Sequence, residues 1–147
     1  LEKLIAFNKK HKAVELPHFG QELFEYAQDM PPITDKKYLR ALKEAKRMMG
    51  AEGIDLVLNK HKLDVLVAPT NQPAWKIDWE NGDNYKGSSS SPAAISGYPN
   101  ITVPMGQVDG MPVGISFFGA FLSEGTLIES AYAFEQATHH RKAPLFK

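Results

Sequence analysis

One transition in the sequence limits the fold more than any other: a long helical pattern runs directly into a short, almost continuous apolar stretch. Apolar residues recur every three or four positions between residues 39 and 56, which predicts a helix over 35–60 with an irregularity near Gly50. The run LDVLVA at 63–68, closed by Pro69, is typical of a strand buried on both faces. A long helix that leads into such a strand favours an α/β architecture.

The first part of the chain, residues 1–60, is predicted to be a helical region. Two short amphipathic helices precede the long one and end near Pro17 and Pro31, because the residue before a proline disfavours helical geometry. Thr34 is the expected N-cap of the long helix.

Residues 61–147 are predicted to hold strands, a cleft loop and a C-terminal helix. Cap and turn residues predict a helix at 92–96 between a Ser91 cap and Gly97, strands at 100–103 and 112–118, a hairpin turn at 108–111 and a helix from a Ser123 cap to near His140. Pro104 is expected to close the second strand. The total is about three strands and four to five helices.

A three-stranded sheet has two edges, and something must cover them. The apolar faces of the predicted helices and strands are wide enough for a larger sheet. We therefore expect either that the chain completes a larger fold or that it pairs with a second copy as a homo-oligomer.

Composition excludes several classes of function. Lys+Arg and Asp+Glu both number 17, so nothing indicates a nucleic-acid partner. The absence of cysteine rules out disulfides and thiolate metal sites and is typical of a cytoplasmic protein. No apolar stretch approaches the length of a membrane span. No metal-binding histidine pair and no glycine-rich phosphate loop occurs, so we expect no metal and no cofactor.

Four consecutive serines at 88–91 raise the question of a nucleophile. A nucleophile elbow needs glycines two residues either side of the serine, and Ser96 and Ser116 both lack that pattern. Lys86 is too near in sequence for its spacing to orient it as a base towards the serine run. We interpret Ser91 as a helix cap and the other three as residues that bond the loop backbone or line a cleft.

The loop at 69–91 is long enough to be functional or disordered. Trp75, Trp79 and Tyr85 argue against disorder, because aromatic residues are scarce in disordered segments. Two interpretations of these aromatic residues stay open: the lid of an apolar pocket, or anchors that hold the loop to the core.

Several segments together resemble a known family. LDVLVAPT, SPAAISGYPNITVPMG, MPVGISFFG and SEGTLIESAYAFEQAT resemble, in this order and spacing, the C-terminal portion of amidase signature enzymes. FNKKHKAVELPHFGQELFEYA and GIDLVLNKHKLD are similar to the helical region that precedes it. The resemblance covers essentially the whole chain, residues 1–147.

This resemblance implies part of a mixed sheet with helices layered on it, and amide hydrolysis by a Ser–cis-Ser–Lys triad. In the family the triad lies upstream of the portion that this chain resembles. The run at 87–91 looks similar to the family's serine-rich signature but stands in a different place, directly before PAAISGYPN. No residue of this chain therefore receives a catalytic role.

Two functional hypotheses follow from the resemblance. In the first, the chain is the C-terminal fragment of an amidase signature hydrolase, inactive alone, whose partners are the missing N-terminal portion and a small-molecule amide substrate. In the second, it is a non-catalytic binding or interaction protein of the same fold. In the family the strand-end loops lie beside the active site, where open α/β sheets place ligands. The substrate-binding residues expected on that basis are Pro69, Thr70, Asn71, Trp75, Ser90 and Ser91.

Overall fold

The computed structural model describes residues 1–143 and combines helices with one three-stranded sheet. The helices are α1 (Glu2–Lys10), α2 (Lys12–Glu15), α3 (Glu22–Gln28), α4 (Lys36–Met49), α5 (Asp55–His61), α6 (Ser91–Ser96) and α7 (Glu124–Thr138), with a π-helical turn (Gly50–Ile54) joining α4 to α5. The strands are β1 (Leu66–Pro69), β2 (Asn100–Val108) and β3 (Met111–Phe118). The predicted α/β class is confirmed, with more helices than expected. The predicted region 61–147 ends outside the described residues.

The sheet has the order β1-β3-β2, and both neighbouring pairs are antiparallel. Leu66 pairs with Phe118 on one side, and Ile101 pairs with Phe117 on the other. The central strand β3 follows β2 through a two-residue hairpin, Asp109 and Gly110, both with positive φ. That geometry matches the right-handed twist of paired strands.

Helices cover both faces of the sheet because successive side chains of a strand point to opposite sides. Phe118 packs on one face in a cluster with Ile54, Leu58 and Ala93. Phe117 packs on the other face in a second cluster formed by Val103, Leu127 and Ala131. The core is thus two apolar layers, one under α5 and α6 and one under α7.

The predicted irregularity in the long helix is confirmed as the π-helical turn. A Cβ on Gly50 would lie 3.1 Å from the Tyr98 hydroxyl, and a Cβ on Gly53 would lie 2.7 Å from the Met48 carbonyl oxygen. Glycine is therefore the residue that lets the chain widen here without a clash. α4 itself contains no fully buried residue; it packs against α6 and the π-helical turn, while Leu39 and Leu42 on its predicted apolar face stay exposed.

The N-cap of α4 is Asp35 and not Thr34, which corrects the prediction by one residue. The Asp35 carboxylate accepts hydrogen bonds from the backbone N–H groups of Lys37, at 2.7 Å, and Tyr38, at 3.3 Å.

We expect Asp35→Ala to lower the free energy of unfolding by about 1 kcal/mol, since two helix N–H groups lose their acceptor. Chemical denaturation followed by circular dichroism measures this change. Thr34→Ala is the matched control and should be nearly neutral; a larger loss for Thr34→Ala than for Asp35→Ala would contradict the assignment.

The first strand differs from its prediction in length and in burial. β1 begins at Leu66 rather than Leu63, and it pairs only with β3. Val67 remains 54% exposed, so the expectation of a strand buried on both faces was wrong. The reason is that β1 forms an edge of the sheet within the described residues.

The second strand does not close at Pro104 as predicted. It continues to Val108, and a bulge between Pro104 and Gly106 leaves Met105 without a partner in the register. Proline lacks the N–H that a central strand needs, but an edge strand with a bulge tolerates it. β2 is such an edge.

Two further boundaries shift, by one residue at the start of α6 and by about two at the end of α7, whereas the N-cap of α7 is Ser123 as predicted. Ser90, not Ser91, occupies the N-cap of α6, and its side chain makes no capping bond. Ser123 is the N-cap of α7, but its hydroxyl donates to the Ala120 carbonyl instead of accepting from a helix N–H. α7 ends at Thr138, with His139 in the left-handed conformation. The predicted left-handed stop of α6 at Gly97 is confirmed.

Within residues 1–143, none of the helices is both long enough and apolar enough to cross a membrane.

Candidate functional site

A cleft opens at the edge of the sheet where β1 ends. β1 and β2 both run antiparallel to β3. The C-terminal ends of β1 and β2 therefore lie at the same end of the sheet as the start of β3, and the cleft opens there. The cleft has a volume of ≈ 610 Å³, and its lining residues are Pro69, Asn71, Gln72, Pro73, Lys86, Gly87, Ser88, Ser89, Met105, Val108 and Val113. A mostly apolar wall with a few polar groups is the usual composition of a small-molecule site.

One wall of the cleft is formed by Ser88 and Ser89, and the backbone holds it against the end of β1. Asn71 forms an isolated antiparallel bridge with Ser88, and the Ser89 N–H donates to the Thr70 carbonyl at 3.1 Å. The Oγ of Ser89 is buried and has no hydrogen-bond partner among the described residues. A buried hydroxyl without a partner is costly, so the Ser89 Oγ needs a partner that residues 1–143 do not supply.

Gln72 fixes the two arms of the loop that follows. Its amide nitrogen donates to the Asn84 carbonyl at 2.7 Å, and its amide oxygen accepts from the Lys86 N–H at 2.6 Å. Both ends of the Gln72 side chain are therefore engaged in bracing the loop.

Beneath the cleft, three hydroxyls tie the strands together. Thr70 Oγ1 and Thr102 Oγ1 lie 2.8 and 2.9 Å from the Ser116 Oγ, and Ser116 is only 1% exposed. Each hydroxyl can donate once and accept twice, so the cluster satisfies itself. Thr70 thus contributes to the base of the site rather than to its lining.

The rest of the long loop forms a separate hollow of ≈ 730 Å³ lined by residues 75–84. Within this hollow, hydrogen bonds from the backbone N–H and side-chain amide of Asn81 and from the Glu80 N–H lower the pKa of Asp78.

The aromatic residues of the loop make separate contacts. The Trp75 indole N–H donates to Asp83 at 2.9 Å, and Trp79 stacks on His18 with ring centroids 4.2 Å apart. Trp79 thus holds the loop to the segment at His18 rather than to the core, since its own side chain is 57% exposed.

The predicted site residues are therefore divided between several places. Pro69 and Asn71 line the cleft, Thr70 lies beneath it and Trp75 lines the neighbouring hollow. Ser90 and Ser91 belong to the start of α6 and do not line the cleft.

Several lining residues were missed by sequence reasoning. Met105 and Val113 reach the cleft through the bulge and the strand register, which local patterns do not reveal. Ser88 and Ser89, by contrast, line the cleft, which is one of the two roles predicted for the serines before Ser91.

The serine run shows no activated nucleophile. Ser88 and Ser90 lie 2.9 Å apart, Oγ to Oγ. In the part of the chain that the structure covers, no lysine, histidine or carboxylate hydrogen-bonds to the hydroxyls of the serines at 88–91. An activated serine needs such a base. In the same range, no group of three or more histidine or acidic side chains is placed to hold a metal ion.

Solved structures that share this fold include peptide amidases. A native peptide amidase from Stenotrophomonas maltophilia superposes with a TM-score of 0.89 at 49% identity, covering 98% of this chain and 29% of that one. The peptide amidase PAM in complex with the competitive inhibitor chymostatin superposes with a TM-score of 0.93 at 52% identity, covering 97% of this chain and 29% of that one.

Sequence comparison gives the same family. A probable amidase of Arabidopsis thaliana is 38% identical over 151 residues, which is 99% of this chain and 25% of that protein. The chain spans about a quarter of the length of such relatives. The family model described as amidase matches residues 3–128. With the resemblance in its strand and loop segments thereby confirmed, the chain belongs to the amidase signature family.

Proposed function

We propose that this chain supplies one side of the substrate pocket and part of the scaffold of an amide hydrolase, while the attacking group lies elsewhere. The complete enzyme would cleave a carboxamide through an acyl-serine intermediate, with a Ser–cis-Ser–Lys triad upstream of this chain. Backbone N–H groups would hold the oxyanion. The observation that carries the proposal is the cleft at the end of β1, in a chain whose structural relatives are peptide amidases.

The chemistry of the cleft fits a peptide ligand with a terminal carboxamide. Met105, Val108 and Val113 offer an apolar wall. The lining also includes Asn71 and Ser88, whose side-chain amide and hydroxyl are groups that a carboxamide can use through both its N–H and its carbonyl. Pro69 and Asn71 are therefore the predicted residues that we retain as substrate contacts.

Nuclear magnetic resonance titration of the chain with a short peptide carboxamide tests this assignment. We expect saturable shifts of the backbone amides of Asn71, Ser88, Ser89 and Val113, and weaker shifts with the same peptide as a free carboxylic acid. Filling the cleft by Val113→Trp should abolish the shifts, whereas Val14→Trp, at a position 76% exposed on α2, should retain them. Shifts that avoid the cleft, or none at all, would contradict the proposal.

The same titration separates the alternative function. A non-catalytic binding protein of this fold would show the cleft shifts but no preference for the carboxamide over the acid.

A further inference from the structure

A hydrogen bond joins two elements that lie far apart in sequence. The Tyr98 hydroxyl donates to Asp55 Oδ2 at 2.6 Å, in a partly buried setting. Asp55 begins α5 directly after the π-helical turn, and Tyr98 follows the left-handed stop of α6 at Gly97. The contact thus connects the two helical elements on one face of the sheet.

The π-helical turn is shaped to receive the Tyr98 ring. A Cβ on Gly50 would come within 3.1 Å of the phenol oxygen and 3.2 Å of the carbon that carries it. The ring is also 5.9 Å from Phe121, centroid to centroid, which limits its movement on that side. π-helical turns of this kind occur often at functional positions.

From Tyr98 the connection continues to the cleft through α6. The N–H groups of Gly97 and Tyr98 both donate to the Ala93 carbonyl, at 2.9 and 3.0 Å, and Ala93 is buried against Ile54 and Leu58. At the other end of this six-residue helix, the Ala94 N–H donates to the Ser90 carbonyl.

Ser90 in turn meets the wall itself. Its Oγ lies 2.9 Å from the Ser88 Oγ, and Ser88 and Ser89 are the wall residues. The hydrogen bond from Tyr98 to Asp55 therefore fixes the far end of a short rigid helix whose near end holds the wall.

We propose that Tyr98, held by Asp55 at the π-helical turn, is a positioning residue that sets the place of the Ser88 and Ser89 wall. An effect of Tyr98 on catalysis rests on the proposed function, because the position of the wall affects catalysis only if substrate occupies the cleft. The same hydrogen bond to Asp55, together with burial, raises the pKa of Tyr98, so the phenol keeps the proton that it donates.

Hydrogen exchange of the full chain, with and without Tyr98→Phe, tests the positioning role. The variant keeps the ring and removes only the hydroxyl. We expect exchange at the Ser89, Ala94 and Gly97 amides to rise about tenfold, the size that loss of a hydrogen bond to a charged group predicts. Exchange at the Leu127 amide in α7 should not change.

Two further variants complete the experiment. Asp55→Ala should reproduce the effect, and Asp55→Asn should restore much of the protection because it keeps an oxygen acceptor. Tyr132→Phe is the matched control, since Tyr132 is 62% exposed on α7; it should leave all these amides unchanged.

Either of two results would overturn the proposal. The first is unchanged exchange at Ser89 in Tyr98→Phe. The second is an equal rise at Ser89 and Leu127, which would make Tyr98 a contributor to overall stability only.

Titration of the same variants with the peptide carboxamide separates this proposal from the proposed function. Weaker binding by Tyr98→Phe than by the unaltered chain supports both. A loosened wall in a chain that binds no carboxamide supports the positioning contact and removes the proposed function.

Discussion

Replacing Leu127 with alanine should lower the free energy of unfolding by about 3 kcal/mol, the largest loss that we expect from a single side chain. Leu127 is 2% exposed and packs in the layer under α7 with Val103, Phe117 and Ala131. Its removal loses apolar burial and leaves a cavity that the rigid sheet cannot fill by collapse. Urea denaturation measures the loss.

The next residue on α7 provides a matched control. Ile128 is 58% exposed, so Ile128→Ala should change the free energy of unfolding by only about 0.5 kcal/mol. Equal losses from the two variants would show that α7 does not pack on the sheet through Leu127.

Replacing Gly114 with alanine should cost about 2 kcal/mol, within the range for overpacking of a tightly packed site. An added Cβ would lie 2.7 Å from the Thr102 Cγ2 and 2.9 Å from the Thr70 Oγ1. Both neighbours are β-branched and have restricted rotamers, and Thr102 lies within β2, so relief requires movement of the backbone. The Gly114 carbonyl also accepts the Thr70 N–H at 2.8 Å, so the base of the cleft should move with it.

Gly125→Ala is the control for this substitution. Its Cβ would meet no atom within 4 Å, and the residue lies in the first turn of α7, where alanine is the better helix former. We expect no loss of stability, and a gain of up to about 1 kcal/mol. If Gly114→Ala proved as harmless in the same denaturation experiment, the close packing of the three hydroxyls would be contradicted.

Prediction from the sequence was correct where a residue and its immediate neighbours determine the backbone conformation. The left-handed stop at Gly97 and the Asp109–Gly110 turn follow from residues that tolerate positive φ. The irregularity at Gly50 followed from the poor helix propensity of glycine, although the close approach of Tyr98 to Gly50 could not be predicted, because the two residues lie far apart along the chain.

It failed where neighbours distant in sequence decide the outcome. β1 was predicted to be buried because its residues are apolar, yet the described chain provides only one neighbouring strand, and Val67 stays exposed. Pro104 was predicted to end a strand, but β2 continues through it because a bulge and the edge position of the strand tolerate proline. A lone apolar run or a single proline carries no information about which strands lie beside it.

The candidate site shows the same division. Pro69 and Asn71 were expected at the site because they follow a predicted apolar strand; both line the cleft, and their contact with substrate stays a prediction. Met105 and Val113 enter it through register, and Tyr98 is linked to Asp55 across 43 positions of sequence. These contacts depend on how the strands and helices are arranged in space, which local sequence patterns do not determine.

The most direct test asks whether the chain itself carries an attacking hydroxyl. The purified chain of residues 1–147 would be incubated with a serine-directed phosphonylating probe and, separately, with a chromogenic peptide amide, with a known serine hydrolase as positive control. Mass spectrometry should find the chain unlabelled, and no amide should be cleaved, because no base within residues 1–143 hydrogen-bonds to the serines at 88–91. A covalent adduct on any hydroxyl of this chain, or turnover that disappears when one of those serines is replaced, would contradict the division of labour proposed for this amidase portion.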